Sequence, residues 1–200
     1  LLLVPASKTA ISEVDWSITI LMLSILAILI VPISLAISAA ITKGTGKDTN
    51  ISIREALSEA LHHRSYRLLT CGFFVCGFHV AFVAVHLPAY ISDQNASPGL
   101  GATALMLIAF CNMIGASISG WLSGRYSKKY LLSAIYGARA LVMCCFLLFP
   151  INPINVFIFS FFIGFLWLST VPPTSGLVSQ IFGLRYMGML YGIVFLSHQL

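Results

Sequence analysis

The chain has 200 residues, 58% of them hydrophobic and only 8% charged, with a net charge of +5 and a mean hydropathy of +0.96. A soluble domain carries about 25% charged residues, so this composition cannot cover a water-exposed surface. Disorder, which needs low hydrophobicity and high charge, is excluded as well. The apolar residues fall in runs long enough to cross a bilayer, which takes about 20 residues as a helix. The positive charge is therefore read as membrane topology and not as affinity for nucleic acid, because the basic residues sit in short loops between apolar runs.

The chain opens on Leu1-Leu2-Leu3-Val4-Pro5, with neither Met nor the basic n-region of a signal peptide, and stops at Ser197-His198-Gln199-Leu200 inside an apolar run. Both ends read as cuts in a longer chain, the opening being the tail of an earlier span. Complete spans are predicted over 17–41, 66–91, 100–122, 130–149 and 154–178, with a sixth starting at Met187. These are helices, because a segment in hydrocarbon must satisfy its own backbone hydrogen bonds, and a barrel would instead show alternating strands of about 10 residues. The predicted fold class is an all-α membrane protein, a multi-span helical bundle.

The basic residues sort by side. Lys43, Lys47, Arg54, Arg64 and Arg67 follow the first span; Arg125, Lys128 and Lys129 follow the third; Arg185 follows the fifth. If the spans alternate, these share one side, which the positive-inside rule assigns to the cytoplasm. The other side holds Lys8, and Arg139 lies within a span. The polar stretch 42–65 contains Ser52-Ile53-Arg54-Glu55, a capping box that starts a helix. Ile53, Leu57 and Leu61 follow as an apolar stripe, so a short helix is expected on the membrane surface or against the bundle.

Titratable groups inside a span are functional candidates by default. Here they are His79, His86, Arg139 and His198, with Asn112 and Gln199 as uncharged polar companions. At about 1.5 Å per residue, His79 lies about 16 Å into its span, and Arg139, Asn112 and His198 about 12 to 17 Å, near the middle of a core of about 30 Å. Polar groups at one depth on different helices suggest a shared cavity; a His can equally be an inter-helix hydrogen-bond partner. Arg139 has no neutral form and no Asp or Glu within any predicted span to pair with. It must meet an anion, backbone carbonyls or water. Helix breakers concentrate at Gly72, Gly77 and Pro88, at Gly101, Gly115 and Gly120, and at Gly164, Pro172-Pro173 and Gly176. Around Pro172-Pro173, Ser169, Thr170, Thr174 and Ser175 can bond the freed carbonyls.

Enzymatic signals are few. The cysteines Cys71, Cys76, Cys111, Cys144 and Cys145 lie in apolar runs without a C-x-x-C pair and read as small apolar helix residues. His62-His63 has no further ligands nearby, and neither G-x-S-x-G nor H-E-x-x-H occurs, so no metal or other cofactor is expected. A membrane-embedded enzyme is the alternative class; a third reading, a channel or a signalling receptor subunit, finds no carbonyl-filter sequence of the T-V-G-Y-G kind here.

The stretch Gly120-Trp121-Leu122-Ser123-Gly124-Arg125-Tyr126-Ser127-Lys128-Lys129 resembles the cytoplasmic loop signature of the major facilitator superfamily, G-x-L-x-D-R-x-G-R-R, at Gly120, Leu122, Arg125, Lys128 and Lys129. Gly124 stands where the signature has Asp. The resemblance implies the end of an N-terminal bundle over 1–41, a cytoplasmic connector over 42–65 between the two halves, and a partial C-terminal bundle over 66–200, so that the spans are helices six to eleven. Cys76-Gly77-Phe78-His79 and the run from Phe182 to Gln199 are similar to the bacterial branch related to monocarboxylate transporters and the oxalate–formate antiporter. Animal monocarboxylate transporters carry an Asp and an Arg four residues apart on helix eight; the matching positions here are Asn112 and Ala116. The resemblance implies a secondary transporter of a small organic anion working by alternating access in the cell (inner) membrane. Its partners would be that anion, a candidate proton carried by a His, membrane lipid and the N-terminal half of the same chain. The substrate-binding candidates are His79, Asn112, Arg139, His198 and Gln199.

Overall fold

A computed structural model describes residues 52–94 and 99–200, which form helices α1 (Ile53–His62), α2 (Arg64–Asp93), α3 (Leu100–Arg125), α4 (Lys128–Leu148), α5 (Pro153–Leu166), α6 (Val171–Phe182) and α7 (Met187–Gln199). The predicted span 17–41 and the start of the connector lie outside the described residues. Four stretches are long and apolar enough to cross a membrane: α2, α3, α4 and the run Pro153–Phe182 that holds α5 and α6. Their outward faces carry Phe74, Val85, Phe110, Leu141 and Ile158, all substantially exposed, as expected of helices facing lipid.

The capping box at α1 forms in full. Ser52 Oγ accepts from Glu55 N–H at 3.2 Å, and Glu55 Oε2 accepts from Ser52 N–H at 2.8 Å. The helix meets the bundle along Ala56 and Ala60, which are buried, with Leu57 of the stripe packed partly against the same apolar cluster as Ala60. Ile53 and Leu61 are 65% and 50% exposed. Small side chains let α1 approach the bundle closely, which leaves the two ends of the stripe on its flank.

Pro88 does not end its helix, since α2 continues through it to Asp93. It lies one turn from the end, where little ladder remains to be lost, and Gly101 of α3 packs on its backbone, with an added Cβ only 2.9 Å from Pro88 Cα. The fifth predicted span is divided. Its break falls at 167–170, one turn before the prolines, because Pro172 and Pro173 occupy the opening turn of α6, where a missing N–H and a fixed φ suit a helix start.

Contacts at the two ends of the bundle fix the helix directions. At one end Tyr66 donates to Leu190 O at 2.9 Å, His63 and Tyr66 meet the Phe182 ring edge-on, and the Lys128 methylenes lie against Gly176. At the other, Tyr90, Phe146 and Phe159 pack in series. Arg64, Arg67, Lys128 and Arg185 thus belong to one end. Each end has its own apolar cluster. Tyr66, Phe73, Val178, Leu190 and Val194 gather at the basic end; Val83, Leu87, Ile108, Phe159 and Ile163 gather at the other.

Helix α3 holds these layers together through one buried stripe: Leu100, Ala104, Ile108, Cys111, Gly115, Ser119 and Ser123. Its small members bring backbones together. Gly115 sits on the carbonyl of Phe165, and a Cβ on Gly164 would lie 2.6 Å from the Ile108 backbone.

Two outcomes follow. Gly115→Ala should cost the purified protein in detergent about 1–3 kcal/mol through overpacking, read as a lower unfolding temperature. Gly137→Ala, where an added Cβ meets nothing within 4 Å, should hold or raise it through helix propensity; equal shifts for the two would refute the close α3–α5 crossing. At α1, bonds from the Ser52 backbone and then its side chain hold the Glu55 carboxyl below its usual value. That contribution is present above the ordinary carboxylate pKa and is lost as pH falls through the depressed one. Ser52→Ala should raise first-turn amide exchange about fivefold, and strong acidification should do the same to the unaltered protein, after correction for intrinsic rates. Unchanged exchange would count against the cap.

Candidate functional site

Residues 167–170 fall at the middle of the run Pro153–Phe182. A helix broken there exposes peptide groups where no water can serve them, and two consecutive prolines remove the N–H groups that would have bonded Leu168 and Ser169. The described structure satisfies these groups one by one. Leu168 O accepts from Val171 N–H at 3.0 Å. Ser169 O accepts from Ser119 Oγ on α3, and Phe165 O from Ser169 Oγ, both at 2.5 Å. Leu168 N–H donates to Asn112 Oδ1 on α3 at 2.9 Å. The carbonyls of Leu166 and Trp167 both accept from one nitrogen, Nη2 of Arg139, at 2.6 Å each.

Arg139 is the centre of this joint. It is 2% exposed and comes from the middle of α4. Its Nη1 donates to Cys76 Sγ at 3.1 Å, and that sulfur lies 3.3 Å from Thr170 Oγ1, so α2, α4 and the joint meet at one point. Tyr136, one turn away, donates to Gly72 O at 2.9 Å and ties α4 to α2 again. Of the three partners open to this arginine from sequence, the described structure supplies backbone carbonyls.

The other predicted residues divide. Asn112 and Arg139 converge on the joint. His79 lines a narrow crevice with Arg139, Met143, Ile163 and Trp167. His198 belongs to the neighbouring crossing of α2 with α7, where its carbonyl covers Gly77 and its ring packs 4.9 Å from Phe73 and stacks on Phe195. His79 Nδ1 and His198 Nε2 are buried without a hydrogen-bond partner. Gln199 is exposed beside His198, its Nε2 3.5 Å from His198 Nδ1. His86 lies apart, in a cavity of about 390 Å³ near the end away from the basic loops, with Tyr90, Asp93 and Phe146. His62 and His63 point to different partners, Ser58 O and the Phe182 ring.

In the loop signature, Arg125 lies 3.9 Å over the Trp121 ring and Lys129 5.6 Å over Tyr130. Gly120 faces Pro172, and Lys128 packs on Gly176. The signature thus braces the base of α6. Ser119, Cys76 and Thr170 act at the joint although none was a predicted site residue. The signal for them was the accounting of carbonyls around Pro172-Pro173 carried one turn further back.

These features define a multi-pass membrane protein built as a partial helical bundle around a broken span. The family model of the Major Facilitator Superfamily matches residues 1–200, and the chain belongs to that superfamily. It is also similar to the uncharacterized MFS-type transporter YcxA of Bacillus subtilis (strain 168), with 31% identity over 144 residues, covering 68% of this chain and 34% of that protein. The chain thus spans about a third of the length of the curated relative it matches. No solved structure matches the chain.

Removing Arg139 should cost stability before it costs any activity. Arg139→Gln strands the Leu166 and Trp167 carbonyls, at about 1–3 kcal/mol per unsatisfied buried group. Arg139→Lys should fall between the two, because an ammonium keeps the charge but not the planar fork. Thermal unfolding in detergent checks the order; a glutamine variant as stable as the parent would contradict the clasp.

Proposed function

We propose that the protein is a secondary active transporter that carries a small organic anion by alternating access. Superfamily membership supports transport. The observation that carries the anion is electrostatic: Arg139, His79 and His198 come from three helices at one depth, and the described carboxylates, Glu55, Glu59 and Asp93, all lie in α1 or at the far end of α2. A site of that sign in a low-dielectric bundle attracts anions and opposes cations. Arg139 supplies the field while its amino groups hold the joint, so direct contact falls to His79 and His198, each with an unpartnered ring nitrogen, to Gln199 beside His198 and to Asn112 at the joint. The likeness of Cys76-Gly77-Phe78-His79 and of the Phe182–Gln199 run to the monocarboxylate and oxalate–formate branch supports a carboxylate substrate.

In this reading the basic end faces the cytoplasm of a cell (inner) membrane, 42–65 is the cytoplasmic connector, 1–41 ends the first bundle and 66–200 begins the second. The N-terminal half supplies the rest of the cavity, lipid surrounds the outer faces, and a proton is a co-substrate carried by a histidine.

Uptake by the full-length protein in proteoliposomes tests this. Labelled monocarboxylates or dicarboxylates should accumulate and compete with one another, and His79→Ala and His198→Ala should each raise the half-saturating concentration about tenfold or more, the loss of roughly one charge-assisted hydrogen bond. Uptake of sugars or cations, with carboxylates neither carried nor competing, would overturn the anion assignment.

A further inference from the structure

Helix α1 carries apolar surface that the bundle leaves uncovered. Ala56 and Ala60 face the bundle, yet Ile53 and Leu61 stand exposed on a helix outside the spans. At about 100° per residue, Ile53, Leu57 and Leu61 fill an arc of about 80° beside the docked face, and Arg54 sits at the outer edge of that arc. Glu55 and Glu59 lie about 160° from its middle. The helix thus presents apolar side chains edged by a cation on one flank and its carboxylates on the other, the division of a helix lying in a membrane interface.

Beside its first turn is an open cavity of about 530 Å³, walled by Ser52 and Ile53 at the start of α1 and by Arg185, Tyr186 and Met189 around the start of α7. The lining sets a guanidinium among apolar side chains, and Leu184 next to Arg185 is 80% exposed. Arg64 and Arg67 are exposed at the opening of α2. The described carboxylates of this end are Glu55 and Glu59, both on the averted face of α1, and Glu55 already accepts from the Ser52 N–H.

We infer that α1 and this cavity form a binding site for an anionic phospholipid of the leaflet at the basic end. Arg185 meets the phosphate in the cavity, Arg54 adds charge from the edge of the apolar flank, and Ile53 and Leu61 enter the acyl boundary. A soluble anion would use the cations but leave the flank in water. A zwitterionic lipid would cover the flank but gain little from the cations. An anionic lipid uses both. This goes beyond the transport reading, because the site lies outside the spans and requires no transported substrate.

Amide exchange over 53–62 of the full-length protein tests it, in nanodiscs of phosphatidylglycerol and of phosphatidylcholine with the same acyl chains. Exchange should be at least fivefold slower in phosphatidylglycerol. Arg54→Gln and Arg185→Gln should each remove most of that difference, since one cation near an anionic surface is worth about fivefold in binding. Ile53→Ser should reduce it as well, and Lys129→Gln, at the start of α4, should keep it. Equal exchange in the two lipids overturns the inference, as does a difference that survives the arginine variants, is undiminished in Ile53→Ser or is lost in Lys129→Gln. Slowing by millimolar inorganic phosphate in phosphatidylcholine nanodiscs would define a site for a free anion and overturn the lipid assignment. If Arg185→Gln disturbs folding, Arg54→Gln, at an exposed position, still decides. Failure of carboxylate uptake would leave this result standing, so the two readings fail separately.

Discussion

A peptide group freed inside a membrane has no water to turn to, and this one constraint organises the described fold. Pro172-Pro173 interrupts a helix at the middle of a thirty-residue run, and the opened turn leaves carbonyls at Phe165 through Ser169 to be met. The neighbouring helices supply partners at the break: Ser119 of α3 and Arg139 of α4 donate to carbonyls, Asn112 of α3 accepts from the Leu168 N–H, and Cys76 of α2 pairs with the Thr170 hydroxyl. An unmet group would cost several kcal/mol in hydrocarbon, more than the average inter-helix hydrogen bond returns. The network is therefore better understood as the condition for having a broken span at all than as a source of added stability.

Packing serves the same end. Ser119 and Asn112 reach the joint only because α3 runs close beside α5, and that closeness depends on Gly115 facing the Phe165 backbone and Gly164 facing the Ile108 backbone. The apolar clusters at the two ends then hold the helix tips, leaving the middle layer polar. A bundle with hydrophobic ends and a hydrogen-bonded waist can rearrange at the waist while keeping its ends packed.

Much of this was legible in the residues. Apolar run length located the described spans to within a few positions, the Ser52–Glu55 box marked the start of α1, and the unpaired Arg139 announced a partner inside the bundle. Three features were not legible, each for a physical reason. The direction of the α1 stripe depends on which neighbour comes close, and Ala56 and Ala60 allow closer approach than Ile53 and Leu61. The continuation of α2 through Pro88 depends on position within the helix and not on the presence of proline. The partner of Arg139 depends on where a break falls, and prolines mark the first turn after a break and not the break itself. Of the predicted site residues, Asn112, Arg139 and His79 meet around one joint, His198 lies at the next helix crossing, and Gln199 is exposed beside it.

The choice of arginine at this point has a consequence for chemistry as well as for structure. Nη2 alone holds two carbonyls and Nη1 reaches a sulfur, a division that a lysine ammonium, with its charge at one atom, cannot reproduce. Yet hydrogen-bonding to neutral carbonyls and a thiol cancels none of the formal charge. The joint therefore leaves a full positive charge at the depth where His79 and His198 present open ring nitrogens. A carboxylate arriving there would be stabilised by the field of Arg139 without having to displace it, and the break in the span would not have to be dismantled to bind it. Structure and attraction can then be supplied by one side chain, provided that the groups touching the ligand are others.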